Sequence, residues 1–552
     1  MLFRSKRINL AIAVMALCAP LSAQNINQSV QVTNEYESRF SDFQKLGPGL
    51  QVPDSLYRFD YAFDYSVFET PYKGSYEFSP YRISVTPEAR LYDGSKFFLR
   101  AGAGYSVHPQ FEMAWQMLQT PDYAIGVFAE AGGYAGRYTR RGTTGSFSGH
   151  DLSGRIGVGG QYLRPAARLS YHFGYEGIFA GEGGATPYYR SGFSSVLATG
   201  RIQSRERPGN RMFYDIDLQY RYSSDGGRTE GEVSASGENN LRVAVSAGPV
   251  VASKYRFLLD GLFELESLRG DDFYKNPESN GELFGGKTMV CLGSIKPHLD
   301  FLLGPVRLDA GVRVDFSKGT GNGSFTIAPD VTARMALLDA DMELFAGVSG
   351  GQYVQSHYAV KQINHFAFMT GSSATISREK LHVRAGLQGH AGSRLQYELE
   401  GGYVSYLGMP LASLYGVLPV DYKSAYVQGC FSWRGPRLEL DAEAKYSYLR
   451  LNTLCAAFAP PAATGELRGR YNWDNRFWLG LFVEAQSSRL SLAGDGVWIP
   501  WFVNPGLTAE YRFDTRWSFW AEAGNLAGMA VERAPGFIEK GPYGTIGFSV
   551  KL

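Results

Sequence analysis

Charged side chains of both signs recur at every second position in several stretches of the chain. In a barrel filled with water, such side chains can line a path for solutes. They can also pair across the interior, where they stiffen it or anchor an inserted segment, and both interpretations stay open. The residues that we predict to face the lumen are Arg307, Asp309, Arg313, Asp315, Glu439, Asp441, Glu443 and Lys445, together with Arg437, Arg476 and Glu484.

Motifs for catalysis or metal binding are weak. Residues 347–351 satisfy the G-x-S-x-G pattern of a hydrolase elbow, but they lie in a glycine-rich strand pattern without the strand-to-helix turn that an elbow needs. Four histidines in one region lack the spacing of a metal site, and we interpret them as isolated loop or lumen residues: His357, His365, His382 and His390. We therefore predict no catalytic, cofactor or metal-binding residues.

Carboxylates are also concentrated in one predicted loop. They are Asp271, Asp272, Glu278 and Glu282. Their spacing lacks the Asp-x-Asp-x-Asp-Gly pattern of a calcium loop, so a solvated acidic loop is the favoured interpretation.

The elements that carry the charged positions alternate between apolar and polar residues. This pattern of period two covers residues 306–316, 438–448, 477–486 and 516–523. It matches the β-strand template and fails the helix template, which places apolar residues three and four apart. The runs approach the ~10 residues of a membrane strand, with apolar side chains for lipid and polar side chains for the interior.

The connections between the strand patterns alternate between short turns and longer polar stretches. The short turns are Arg164-Pro165, Gly304-Pro305, Leu338-Asp339, Gly435-Pro436, Asp474-Asn475 and Asp514-Thr515. The longer polar stretches are 181–187, 223–237, 269–286, 318–323, 407–419 and 456–463. Short turns at one end and long loops at the other are typical of a transmembrane antiparallel β-barrel. We predict an all-β fold of about 18 to 22 strands, with periplasmic turns and external loops.

The last twelve residues read as a membrane strand that ends the chain. Apolar residues alternate with polar ones and reach the final position: Ile546, Phe548, Val550 and Leu552. We predict that these four face lipid and form the signal that bacterial barrel-insertion machinery reads.

The N-terminus has the pattern of a secretory signal. A basic start precedes a short apolar run and small residues, so we predict a signal peptide over residues 1–23. Residues 24–80 are punctuated by proline, and we predict a periplasmic or luminal arm. The alternating run from Tyr57 to Val67 within it could instead form the first barrel strand, which is the less favoured alternative. Residues 81–552 are predicted to form the barrel.

Composition agrees with a barrel rather than with a helical membrane protein. Glycine accounts for 66 of the 552 residues, tyrosine and phenylalanine for 35 each, and the mean hydropathy is −0.20. Many glycines and aromatic residues favour strands and turns. The net charge of +1 gives no support for a nucleic-acid partner.

The C-terminal stretch 517–526, with Pro535-Gly536-Phe537 and the last strand, resembles the end of a TonB-dependent receptor barrel. In that family, an Asn-Leu pair closes the penultimate strand, as Asn525-Leu526 does here. Residues 30–36 also resemble the opening of plugless barrels of the receptor type. The resemblance implies a barrel in the outer membrane of a Gram-negative bacterium, whereas residues 24–80 leave too little chain for the family's folded plug domain.

Two functions follow from these expectations. The first is a passive or partner-gated channel for solutes, which rests on girth and a polar lumen. The second is a structural subunit of an outer-membrane assembly or export complex, which rests on the missing plug and takes lipoproteins or other barrels as partners. An enzyme ranks last because no credible site is present. In each case, the expected contacts include outer-membrane lipid and the barrel-insertion machinery, and no cofactor.

One pair of substitutions tests the assignment of faces. Val312→Arg should impair membrane assembly, because an arginine facing lipid at the bilayer midplane costs about 2–4 kcal/mol. Asp309→Asn, which we place in the lumen, should assemble normally. The measurement is the heat-modifiable migration of the membrane-inserted protein. Equal tolerance of both changes would contradict the assignment.

Overall fold

The computed structural model describes residues 96–552 with short gaps. The gaps are 106, 141–145, 183–188, 206–211, 230–231, 253–254, 271–285, 320–324, 338–340, 368–374, 414–416, 452–456, 493–496, 534, 536 and 540. The predicted signal peptide, the predicted arm and residues 81–95 of the predicted barrel lie outside the described residues. The four carboxylates of the predicted acidic loop and the Leu338-Asp339 turn also lie outside the described residues.

The described residues form 25 strands and one helix. In chain order they are β1 (Phe97–Tyr105), β2 (Gln110–Thr120), β3 (Tyr123–Arg140), β4 (Ser146–Leu163), β5 (Ala167–Glu182), β6 (Tyr189–Ser204), β7 (Met212–Thr229), β8 (Glu232–Ala252), β9 (Tyr255–Gly270), β10 (Gly286–Leu303), β11 (Val306–Lys318), β12 (Phe325–Leu337), β13 (Met342–Gln355), α1 (His357–Ile363), β14 (Thr375–Ala391), β15 (Leu395–Ala412), β16 (Val417–Arg434), β17 (Leu438–Leu451), β18 (Ala463–Trp473), β19 (Phe477–Gln486), β20 (Arg489–Leu490), β21 (Trp498–Ile499), β22 (Phe502–Arg512), β23 (Trp517–Gly524), β24 (Phe537–Glu539) and β25 (Tyr543–Lys551).

Twenty-two of these strands form one closed antiparallel barrel. Each wall strand pairs with the next wall strand along the chain, and β1 pairs with β25 to close the ring. β20 and β21 pair with each other, and β24 pairs with β3. The predicted all-β barrel and its strand number are confirmed. Within the described part of the chain, no helix has the length and apolarity to cross a membrane.

The connections alternate in length as predicted around much of the ring, but not at β6 to β8, where seven residues join β6 to β7 and two join β7 to β8. Five of the short turns join consecutive wall strands: Arg164-Pro165, Gly304-Pro305, Gly435-Pro436, Asp474-Asn475 and Asp514-Thr515. Two predicted loops were wrong in extent. Most of residues 223–237 and of 407–419 belongs to strands, because β7 runs to Thr229 and β15 runs to Ala412. Polar side chains such as Asp225 and Glu238 are buried on the inner face there, and a polar strand resembles a loop in sequence.

The outer surface of the wall is apolar. Along β7, the large side chains of every second residue from Ile216 to Tyr222 are exposed. On the same outer face of β5, Leu169, Phe173, Tyr175 and Phe179 are exposed. A barrel exposes apolar residues in this way when its outside meets hydrocarbon. The wall is uneven in height, since β3 to β10 are 16 to 21 residues long whereas β1, β2, β22, β23 and β25 have eleven or fewer.

A tryptophan on β23 covers the closing pair of strands from inside. Gly102 of β1 lies opposite Gly547 of β25, and Trp520 pairs with Gly547 from the other side. A Cβ atom at either glycine would lie 2.5 Å from the Trp520 ring, which is 3% exposed. Glycine at both positions therefore lets the indole lie flat against the strands that close the ring.

The glycine at this closing pair should be required for stability. Gly547→Val should lower the temperature at which the barrel unfolds in detergent, because its side chain overlaps Trp520 and overpacking costs about 1–3 kcal/mol. Gly200→Val is the matched control, since a Cβ at Gly200 meets nothing within 4 Å. The measurement is the heat-modifiable shift on a gel. Equal unfolding temperatures for both variants would contradict the packing described here.

Candidate functional site

Two predicted lumen residues on β11 pair with the neighbouring strand β10. Arg307 donates to Asp300 through its Nη2 and Nε atoms, at 2.5 and 2.9 Å. His298 Nδ1 lies 2.8 Å from Asp309 Oδ1. These contacts bring charges of both signs together along one face of the strand pair.

The predicted charged positions of β17 have mixed surroundings. They are Glu439, Asp441, Glu443 and Lys445. Asp441 accepts two hydrogen bonds from Arg434, and the Lys445 ammonium lies 5.5 Å from the centre of the Tyr426 ring. Glu443 lies opposite another glutamate on β18. The assignment of all eight predicted residues to a solute path stays a prediction.

The predicted assembly signal lies on the closing strand. Ile546, Phe548 and Leu552 are exposed, whereas Val550 is buried between Leu99 of β1 and Trp517 of β23, which lie directly opposite it. Recognition of these residues by insertion machinery stays a prediction.

The C-terminal half of β13, from Ser349 to Gln355, leaves the barrel wall. Within the described residues, β12 and β13 pair only as far as Val331 and Val348, although β12 continues to Phe325 and β13 to Gln355. Beyond that point β13 pairs with β14 alone. Ile376 of β14 and Val354 of β13 pack instead against β9 and β10, which lie on the far side of β11 in the wall. The end of this hairpin has therefore moved into the barrel.

Arg313 and Asp315 hold the displaced strand. The Arg313 guanidinium donates to the Gln352 carbonyl oxygen at 2.7 Å, and the Gln352 backbone N–H donates to Asp315 Oδ2 at 2.7 Å. Arg313 and Asp315 also pair with each other at 2.8 Å. Two predicted lumen residues thus replace the hydrogen bonds that a neighbouring strand would supply, which the sequence pattern did not reveal.

A short helix follows the displaced strand. The Ser356 hydroxyl caps α1 by accepting a hydrogen bond from the Ala359 backbone N–H at 3.2 Å. Asn364 returns to an extended conformation after α1, and its side chain donates to the Ser413 carbonyl oxygen at 3.2 Å. We call Ser349–Ala367 and Thr375–Glu379 the inner flap.

The first turn of α1 is held by a glutamate of β8. The backbone N–H groups of His357 and Tyr358 donate to the two carboxylate oxygens of Glu238, at 2.6 and 3.2 Å. Glu238 and His357 are fully buried. A carboxylate at this position satisfies backbone donors that a helix start leaves without partners.

A buried ionic cluster joins α1 to β6 and β7. His357 Nε2 lies 2.8 Å and Lys361 Nζ lies 3.1 Å from Asp225 Oδ2. Lys361 also donates to the Ser191 hydroxyl at 2.5 Å, and all four side chains are at most 3% exposed. Burial lowers the pKa of Lys361 below its usual value, opposed by the nearby Asp225 carboxylate. The charge of the buried Lys361 ammonium is therefore supported by the Asp225 carboxylate.

Further contacts bind the inner flap to β3, β4 and β5. The Phe366 ring meets Tyr138 of β3 edge to face, with the ring centres 6.4 Å apart. Tyr358 and Gln362 both donate to Glu176, at 2.9 and 3.0 Å. The His365 Nδ1 atom lies 2.7 Å from Asp151 Oδ1. Each wall residue lies within the strand rather than at its end, on the face opposite the exposed apolar side chains. The inner flap therefore crosses the lumen from β13 to the wall between β3 and β8.

The lysine and serine of this cluster resemble a nucleophile and its base only in their spacing. A serine beside a lysine with a lowered pKa can attack a carbonyl. Here the Ser191 and Lys361 side chains are buried between α1 and the wall, with 2% of Ser191 exposed, so a substrate has no access. The G-x-S-x-G stretch lies inside β13, and no group of residues in the described chain could hold a metal ion. The arrangement is suited to holding α1, not to chemistry.

Two histidines have a role that the sequence did not assign. The prediction of isolated residues was wrong for His357 and His365: both lie in the lumen, but each pairs with a carboxylate of a distant wall strand. His382 lies beside Tyr426 at 2.8 Å, and His390 beside Asp341 at 3.2 Å.

Removing the carboxylate of the cluster should release α1. Asp225→Asn leaves the Lys361 ammonium buried without a counter-charge, and breaking such a pair costs about 3–5 kcal/mol. Hydrogen–deuterium exchange of residues 356–366 should become faster. Asp225→Asn combined with Lys361→Met should recover part of the protection, and Ile363→Ala, a change at an exposed residue of α1, is the control. Unchanged exchange in Asp225→Asn would contradict the role of the cluster.

Comparisons with known proteins show similarity in fold only. No protein-family model matches the chain, and no curated protein matches it in sequence. Among solved structures, the chain is similar to the FrpB iron transporter from Neisseria meningitidis (8% identity, TM-score 0.63, 83% of this chain and 81% of that chain covered). It is also similar to the copper transporter OprC (13%, 0.61, 83% and 80%) and to the siderophore receptor PiuA from Acinetobacter baumannii (10%, 0.61, 84% and 82%). The chain has the fold of an outer-membrane β-barrel of a Gram-negative bacterium, and this barrel resembles those of TonB-dependent receptors.

Proposed function

We propose that the protein is a channel for hydrophilic solutes whose lumen is narrowed by the inner flap. Barrels of 22 strands enclose a lumen wide enough to need filling or plugging. In this chain, a polar inner wall surrounds that lumen, and the flap lies across part of it. The observation that carries the proposal is the attachment of α1 and the residues after it to side chains on the inner faces of β3 to β8.

The charge pattern of the wall supports a polar solute. Ion pairs such as Arg307 with Asp300 and Arg313 with Asp315 leave both signs on the inner face, so neither cations nor anions are strongly excluded. The mixed charge also argues against an apolar substrate. The proposed role is transport without enzymatic chemistry, in contact with outer-membrane lipid and after insertion by the barrel-insertion machinery.

Conductance tests the proposal directly. Purified full-length protein in planar bilayers should conduct, and replacing residues 357–366 with a Gly-Ser linker of equal length should raise the single-channel conductance several-fold, because the linker removes the contacts across the lumen. Ile363→Ala is the control, since Ile363 is an exposed residue of α1.

The contradicting result is absence of conductance. If the wild type and the linker variant both insert as folded barrels and neither conducts, the channel proposal fails. Stable co-purification with lipoproteins or other barrels from native membranes would then favour the structural subunit.

A further inference from the structure

The free part of β13 matches a free edge of β12. Ser349 to Gln355 leave the wall immediately after the last shared pair, and Phe325 to Asp330 of β12 keep no ladder partner on that side among the described residues. Continuing the register from Val331 and Val348 places Phe325 opposite Val354. An unpaired strand edge is a template for another strand, and here the strand of matching length and register is already attached.

A bend lies where the two strands separate. Gly350 and Gly351 follow the last β12 pair, and Gly351 has φ +151°, a value that favours glycine. Beside them, β14 carries an extra residue at Lys380, which interrupts its register with both β13 and β15. A bulge bends a strand locally, so these residues form a hinge across the whole hairpin.

The inward position is held mainly by polar contacts. Four wall carboxylates hold α1 and His365 after it: Asp225, Glu238, Glu176 and Asp151. Arg313 and Asp315 hold β13. Apolar packing is provided by the small group of Leu268, Val290, Ile376 and Val354 and by a second group around Val360. Ring contacts of Phe193 with His357 and Tyr358, and of Tyr138 with Phe366, add to it. Polar groups of this kind are hydrated again when they separate in an aqueous lumen, so the contacts can be exchanged.

We propose that the inner flap is a gate with two positions. In the first position, seen here, β13 bends inward at Gly350-Gly351, and α1 with the residues after it is attached to β3 through β8. In the second position, Ser349–Val354 pairs with Phe325–Asp330 of β12, the wall is completed, and α1 is withdrawn from the lumen. The backbone of Gln352 has partners in both positions, Arg313 and Asp315 in the first and β12 in the second.

The role of this gate in conduction rests on the proposed channel, but the two positions can be detected without conduction. Paired cysteines in a background whose native cysteines are serine report each position. Val290→Cys with Ile376→Cys should cross-link in the inward position, because both side chains belong to one buried group. Phe325→Cys with Val354→Cys should cross-link only when β13 pairs with β12.

The experiment is mild oxidation of the full-length protein in native membranes, followed by gel analysis of the cross-links. The Val290–Ile376 link should dominate in the otherwise unchanged chain. Adding Asp225→Asn should raise the yield of the Phe325–Val354 link several-fold and lower that of the Val290–Ile376 link. Lys361→Met provides a second variant with the same expected direction, and heat-modifiable migration identifies the folded protein in each case.

The matched control joins Phe325→Cys to Ile202→Cys, an exposed residue on the distant strand β6. A Phe325–Val354 yield no higher than in this control, in both Asp225→Asn and Lys361→Met, would overturn the two-position gate. If the cross-links respond as expected and neither linked protein conducts, the gate stands and the channel proposal fails. If both conduct equally, the two positions stand but the flap does not narrow the channel. Higher conductance with the Phe325–Val354 link than with the Val290–Ile376 link would support both.

Discussion

The structure depends on one constraint, which is that backbone N–H and C=O groups surrounded by lipid need partners. The closed ladder from β1 to β25 meets this requirement around almost the entire ring. Among the described residues, strand pairing fails to meet it between β12 and β13, where two charged side chains, Arg313 and Asp315, bind the backbone of Gln352 instead. The same charges that make the inner wall polar therefore allow one strand to leave it.

This exchange of a strand ladder for side-chain contacts explains the inner flap. A strand that leaves the wall carries the following residues inward, and α1 forms there because Ser356 caps it and Glu238 satisfies its first backbone donors. The buried cluster of Asp225, His357 and Lys361 then fixes the helix against the wall. The contacts that Glu238 and Asp225 make with α1 join residues more than a hundred positions apart in the chain.

Much of the fold could be predicted from the sequence, because period-two alternation and short turns are local signals. The strand runs around Val312 and Leu440 and turns such as Gly304-Pro305 lie in the structure where the pattern indicates. The flap could not be predicted in this way. The seven residues of α1 are too few for a helical period, and the role of His357 depends on Asp225, which lies in a stretch that resembles a loop because its inner face is polar. The departure of β13 depends on contacts across strands, although the Gly350-Gly351 pair marks its position.

The most direct measurement of the central claim is a cryo-electron microscopy structure of the full-length protein in a lipid bilayer disc. The account predicts density for α1 inside the barrel, with the His357 and Lys361 side chains against Asp225. It also predicts that β13 is separated from β12 from Ser349 onwards. Density that shows β13 paired with β12 as far as Phe325, and α1 outside the lumen in every class of particles, would contradict it.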